Sequence, residues 1–227
     1  MTAQDQFESD RFQTKGGELE ITFIGHGSLL FGYKGWNIYV DPFSQLADFS
    51  RMPKADLIFI THQHQDHFDL AAIEKLRRQG TRIFLSASCR PAPPASRILQ
   101  NNESIRVNDI DIAVVPAYNI VNLRENGTPF HPRGEGNGYV FTFADTAVYV
   151  AGDTENIPEM TALKDIAIAF LPMNLPYTMA PEMTAQAARS CKPRILYPYH
   201  FGTTDPRKLI PLLADESGIS VRIRKLN

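Results

Sequence analysis

Apolar and polar positions along this chain follow two periods in turn. Segments 19–25 (LEITFIG) and 28–42 (SLLFGYKGWNIYVDP) are β-branched and aromatic, with Gly32 and Gly35 flanking a tight turn; they predict an antiparallel opening meander. Residues 55–62 (ADLIFITH) form an unbroken apolar run of the kind buried on both faces of a sheet, and 68–80 (FDLAAIEKLRRQG) follows with helical spacing and a glycine stop. A strand over 81–88 then leads into the proline-broken connection SCRPAPPASRILQNN. Hairpins are predicted over 104–119 and 138–154, turning at Asn-Asp and Ala-Asp. A strand over 166–173, a helix over 181–191, a strand over 194–201, a helix over 205–218 and a closing VRIRKL complete the pattern. The first 17 residues are polar and read as a flexible or loosely docked lead-in.

Hairpins followed by strand–helix units occur in both halves, with no linker and no fixed-period repeat. The expectation is one α/β (α+β) domain over 1–227, built from two similar halves. Composition adds mainly exclusions. A 43% hydrophobic fraction, 10% aromatics and 21% charge are ordinary for a globular chain. A net charge of −2 and a pI near 6.3 give none of the strong basic field that grips nucleic acid, so a nucleic-acid partner is not expected. No segment approaches the roughly 20 apolar residues of a membrane span, and the start lacks the basic and apolar stretches of a secretory leader. Cys89 and Cys191, far apart and outside any C-x-x-C, suit buried free thiols in a cytoplasmic protein. A homo-oligomer is compatible with the sequence but not required by it.

The chemistry concentrates in THQHQDHFDL, residues 61–70, which holds three of the six histidines directly after an apolar strand. A histidine-rich surface loop would look the same in isolation. Asp41, the 62–67 cluster, Asn119, Asp153 and His200, however, each stand at the C-terminal end of a strand-like run, where layered sheets gather ligand sites. Imidazole and carboxylate together suit zinc, iron or manganese. His26, in IGHGS, fits a core or supporting histidine and is assigned no ligand role. Tyr177 and Met179 fit either a pocket wall or, the commoner case beside prolines, plain packing, and LRRQGTR reads as a solvated helix end.

The run His62-Gln-His64-Gln-Asp66-His67 resembles the H-x-H-x-D-H signature of the metallo-β-lactamase superfamily, with VDP at Asp41 before it and AGDT at Asp153 and YPYH at His200 after it. FIGHGSLL, FHPRGEGNGY and LPMNLPYTMAPEMTAQAA look most like its small stand-alone metal-dependent hydrolases, among them ascorbate-6-phosphate lactonase. The resemblance implies a four-layer αββα sandwich. It also implies two divalent metal ions, zinc first, with manganese, iron or nickel as alternatives. His62 and His64 would hold the first ion, Asp66, His67 and His200 the second, and Asp153 would bridge them. Asp41 would orient a ligand from behind, through a ring N–H or a loop amide. Where the family usually supplies a third histidine to the first metal, this chain has Asn119. Two replacements remain open, the Asn119 carboxamide itself and, preferred, His131 twelve residues on.

The implied chemistry is hydrolysis of a small-molecule substrate, an ester, lactone or phosphoester, by hydroxide generated at the metals, with Asp66 both ligating and moving a proton. A phosphodiesterase or nuclease of the same superfamily is the alternative within enzymes; a metal-binding protein without turnover is the alternative outside them. No G-x-S-x-G elbow and no cysteine beside a histidine offers a competing nucleophile.

Overall fold

A computed structural model describes residues 6–227. The strands gather into two seven-stranded sheets, each in sequential order. The first holds β1 (Glu8–Thr14), β2 (Gly17–Gly25), β3 (Ser28–Tyr33), β4 (Trp36–Val40), β5 (Leu57–Ile60), β6 (Arg82–Leu85) and β7 (Ser96–Ile98). The second holds β8 (Ser104–Val107), β9 (Ile110–Ala117), β10 (Gly136–Phe143), β11 (Thr146–Val150), β12 (Ile166–Pro172), β13 (Ile195–Tyr199) and β14 (Ser220–Val221). In both, the first four strands pair antiparallel and the last four run parallel, so the two halves repeat one topology.

The side-chain alternation of β5 shows how the layers form. Leu57 and Phe59 face the core between the sheets, while Ile58 and Ile60 face outward, where Ala72, Ile73 and Leu76 of α1 (Leu70–Leu76) cover them. A strand apolar on both faces is the consequence. Between the sheets Phe59 meets Phe141 edge-on at 4.9 Å, and Phe31 meets the same ring at 5.4 Å, so one aromatic cluster joins the two halves. On the far side α2 (Pro181–Cys191) packs Ala185, Ala188 and Cys191 against the second sheet. The order helix, sheet, sheet, helix is the expected four-layer sandwich.

Several elements depart from the sequence reading. Within the lead-in, residues 8–14 pair along their whole length with β2, as an edge strand whose Asp10 is clamped by Arg224 at 2.8 Å and by the Tyr197 hydroxyl. Residues 1–5 of that lead-in lie outside the described residues. The turn after β3 centres on Lys34 and Gly35, both at positive φ, leaving Gly32 inside the strand. The proline-broken connection contains β7. The predicted helix over 205–218 is reduced to a 3-10 turn at Pro206–Lys208 followed by α3 (Leu209–Leu212); Pro211 has no N–H to bond back to Arg207 O, so one regular α-helix does not run through both. The closing segment contributes only β14.

The two sheets are tied together at the edge where their parallel strands end. Asn137 N–H donates to Thr61 O at 2.8 Å, the Tyr139 hydroxyl to Ile60 O at 2.7 Å, and His200 N–H to His26 O at 3.2 Å. His26, Asp41 and His200, all at this edge, hold left-handed backbone conformations with φ near +50°. Such conformations are costly for a residue with a Cβ and persist where surrounding bonds enforce them.

Candidate metal centre

All six histidines of the sequence meet at this edge, in two groups of four ligand-type residues. His62, His64, His131 and Asp153 form one, and His26, Asp66, His67 and His200 the other; within each group the candidate ligand atoms lie within 4.8 Å of one another. Asp153 is the link between them, with Oδ2 3.3 Å from His131 Nε2 and 3.5 Å from His200 Nε2, and Oδ1 3.5 Å from His67 Nε2. The structure thus brings together every residue singled out as a ligand: His62, His64, Asp66, His67, His131, Asp153 and His200. It adds His26, which the sequence reading left without a role. His26 Nε2 lies 2.9 Å from Asp66 Oδ2, and its ring lies over that of His200 at 3.6 Å. Nothing in IGHGS distinguishes such a histidine from a core one; only the approach of β2 to the end of β13 does.

Hydrogen bonds behind the rings decide which nitrogens face inward. Asp41, fully buried at the end of β4, accepts from Thr61 N–H at 2.8 Å, from the Thr61 hydroxyl at 2.6 Å and from His67 Nδ1–H at 2.7 Å. It therefore fixes both a ring N–H and a loop amide. The Thr61 hydroxyl has spent its proton on Asp41, so it accepts from His62 Nδ1–H at 3.0 Å, and the lone pair of His62 is left on Nε2. On the far side Asn119 Oδ1 accepts from His131 Nδ1–H at 2.7 Å, leaving His131 its lone pair on Nε2 as well. Behind His200 the Asn174 amide nitrogen Nδ2 lies 3.3 Å from Nδ1 of the ring.

Asn119 thus supports His131 and makes no hydrogen bond to the other side chains of the two groups. Its own orientation is set by Nδ2, which donates to Glu155 Oε1 at 3.1 Å and to Tyr177 O at 2.9 Å. Glu155, fully buried, also accepts the amides of Ile120, Val121 and Asn122, each at 2.7 Å. One carboxylate therefore moors the loop that carries Asn119. Sequence reasoning missed it, although it follows Asp153 by two residues in AGDTE.

The protonation pattern suits cation binding. Burial and the neighbouring imidazoles hold His62 and His64 below the ordinary histidine range, so both rings are neutral. Burial alone would raise Asp153 and Asp66, but the surrounding histidines outweigh it and keep both ionised. His67 is the exception: burial opposes its charge, yet Asp153, Asp41 and Asp66 raise it to about 10. Among the described residues His67 Nε2, Asp153 Oδ1 and His200 Nε2 are buried without any hydrogen-bond partner. Buried polar atoms are rarely left so. Apart from the proton that His67 carries in the metal-free protein, the lone pairs of imidazole and carboxylate that converge here fit one or two divalent cations, with nitrogen and oxygen donors and no thiolate.

Gly27 shapes the same floor. A Cβ there would stand 2.8 Å from His67 Cε1, so only glycine lets this ring seat against the β2–β3 turn. Above the groups opens a cavity of about 380 Å³, walled by Arg124, Phe130, Asn174 and Tyr177.

Comparison with known proteins agrees with this arrangement. A profile of the β-lactamase superfamily domain matches residues 20–200, a span that contains every member of both groups. The chain belongs to the metallo-β-lactamase superfamily. A metal-dependent hydrolase of Thermococcus kodakarensis is 28% identical over 222 residues, covering 89% of this chain and 96% of that protein. The crystal structure of a proposed metal-dependent hydrolase of Parabacteroides distasonis shares 48% identity and superposes with a TM-score of 0.92 over 97% of this chain and 100% of the other. Igni18, a metallo hydrolase of Ignicoccus hospitalis, has the same fold at 23% identity, with a TM-score of 0.73 over 92% of this chain and 96% of its own. This superfamily member has no helix among its described residues long and apolar enough to cross a membrane.

Proposed function

We propose that this metal-dependent hydrolase holds two divalent ions, zinc foremost, and cleaves a small ester, lactone or phosphoester. The observation that carries the reading is the convergence of all six histidines, with Asp66 and Asp153, into two adjoining groups whose inward nitrogens are set by hydrogen bonds behind them. His62, His64 and His131 hold one ion and Asp66, His67 and His200 the other, with Asp153 between. When bound, such ions acidify a water molecule towards neutral pH and polarise the scissile oxygen.

The protein's own groups do the rest. Asp66 is the one of the two central carboxylates with substantial exposure, 36% of its side chain against 4% for Asp153, and it lines the cavity. Oδ2 takes the contact with His26, so Oδ1 is the atom that accepts a proton from the attacking water and returns it to the leaving group. His26 orients that carboxylate. Asp41 and Asn119 prevent their histidines from turning, and the cavity, small and walled on one side by Phe130 and Tyr177, admits a small molecule rather than a polymer.

The test is turnover against a panel of lactones, aryl esters and bis-p-nitrophenyl phosphate, with metal content measured in parallel. The reading expects chelator-sensitive turnover of at least one class and about two metal equivalents per chain. A protein that keeps its metal and cleaves none of the panel would contradict the substrate range, and one that retains no metal would contradict the site.

A further inference from the structure

The cavity wall carries one cation whose partner is missing. Most surface arginines of this chain sit on a carboxylate: Arg77 on Glu74, Arg78 on Asp56, Arg97 on Glu103, Arg133 on Glu159, Arg207 on Asp205. Arg124, which lines the cavity over the metal centre, has no carboxylate at ion-pair distance among the described residues. It is held in place nonetheless. Its guanidinium lies 4.9 Å over the ring of Phe130 and donates from Nη2 to Phe130 O at 3.2 Å. Its backbone closes a small hairpin, with Arg124 N–H bonded to Thr128 O at 2.7 Å and Leu123 bridged to Pro129.

The surroundings are apolar. Phe130 meets Tyr177 edge-on at 5.1 Å, and five of the seven large apolar side chains exposed among the described residues stand on these two loops: Ile120, Val121, Leu123, Leu175 and Tyr177. Of these Tyr177 lines the cavity itself, and the others stand close in sequence to its lining residues Arg124, Asn174 and Tyr177; isolated exposed apolar residues are ordinary, but such a concentration on two loops marks a binding surface. A guanidinium pinned on a ring presents its planar fork with little further loss of freedom, the geometry that takes a carboxylate or phosphate in two parallel hydrogen bonds.

We infer that Arg124 is a specificity residue which binds an anionic group of the substrate remote from the scissile bond, while Phe130 and Tyr177 pack against an apolar body between the two. The substrate class is an amphiphilic organic anion, a carboxylate or phosphate monoester joined through an apolar spacer to the bond that is cut. This rests on the hydrolase reading above, and names the substrate class for the same site.

Two esters that differ only in remote charge test it: mono-4-nitrophenyl glutarate, ending in a carboxylate, and 4-nitrophenyl pentanoate, ending in a methyl. The quantity read is the ratio of their kcat/KM values within each metal-loaded protein. The wild type should favour the glutarate by about tenfold or more, chiefly through KM, and Arg124→Gln should bring the ratio to about one, with Arg124→Lys between them. A ratio near one in the wild type, or a ratio unchanged in Arg124→Gln, overturns the inference. If neither ester is cleaved by any of the proteins, calorimetric binding of 4-phenylbutyrate decides it independently of turnover. About tenfold weaker binding to Arg124→Gln than to wild type supports the anion site while counting against ester hydrolysis, and equal affinity overturns the anion site.

Discussion

His131 Nδ1 lies 2.7 Å from Asn119 Oδ1, and the same oxygen also accepts the His131 amide at 2.9 Å. The residue standing where the superfamily usually has its third histidine therefore orients a histidine that arrives from the next loop. Removing either should have different consequences. His131→Ala should lower metal content by about one equivalent. Asn119→Ala should keep both ions at saturating metal but weaken the first by roughly 10- to 100-fold, the usual effect of losing an orienting partner. Metal analysis and competition titration of the two variants beside wild type check this, and identical losses in both would be inconsistent with a supporting role for Asn119.

Glu155 carries this arrangement one step back. Replacing it with Ala strands three amides and the Asn119 side chain in a buried site, at a cost on the order of 3 kcal/mol or more. The melting temperature should fall and limited proteolysis should cut within 119–131 before it cuts elsewhere. If Glu155→Ala protects that loop as well as wild type does, the mooring is unimportant.

Gly27 offers a test from the opposite side of the site. Gly27→Ala places a methyl against His67 and should displace the ring, reducing occupancy of the second ion, whereas Gly218→Ala meets nothing within 4 Å and serves as the neutral control. Equal metal content in the two variants would show that the ring tolerates displacement.

The proton on His67 sets the pH dependence. In the metal-free protein its pKa is raised from 6.5 to about 10, so its contribution to stability is complete below pH 6.5 and is lost as pH rises towards 10. Asp66 and Asp153 act in the opposite sense, since their pKa values are depressed: they stabilise above the ordinary carboxylate range and cease to do so in strong acid. A cation taken up at Nε2 must displace the His67 proton, so affinity should rise with pH and loading at pH 7 should release protons. Calorimetric titration of metal into apo-protein in two buffers of different ionisation enthalpy measures this release. Identical apparent enthalpies in both would mean that no proton leaves.

What could be read from the sequence divides along a physical line. H-x-H-x-D-H, Asp153 and His200 are legible because a strand end followed by ligand-type side chains is a local pattern; the apolar runs by themselves show strand–helix units in two similar halves, and the two-sheet architecture comes from the family resemblance that those motifs carry. His26 was not, since its place depends on β2 passing beside the end of β13 in the other sheet, a contact 174 residues apart in the chain, from residue 26 to residue 200. Glu155 was hidden for a related reason: a buried carboxylate bound to amides of a distant loop leaves no periodicity. The polar segment 8–14 looked unstructured because an edge strand with one face in water lacks an apolar signature, and its clamp, Arg224, comes from the far end of the chain. Asn119 and His131 are the two alternatives that the departure from the family pattern leaves open, and which of them turns inward depends on the loop that Glu155 holds.

The most direct test of the two-ion centre is anomalous diffraction, at the absorption edge of the bound metal, from crystals of the metal-loaded protein. The expected result is two peaks flanking Asp153, one enclosed by His62, His64 and His131 and the other by Asp66, His67 and His200. A map with no peak between these side chains, or with its strong peaks only at the protein surface, would contradict it.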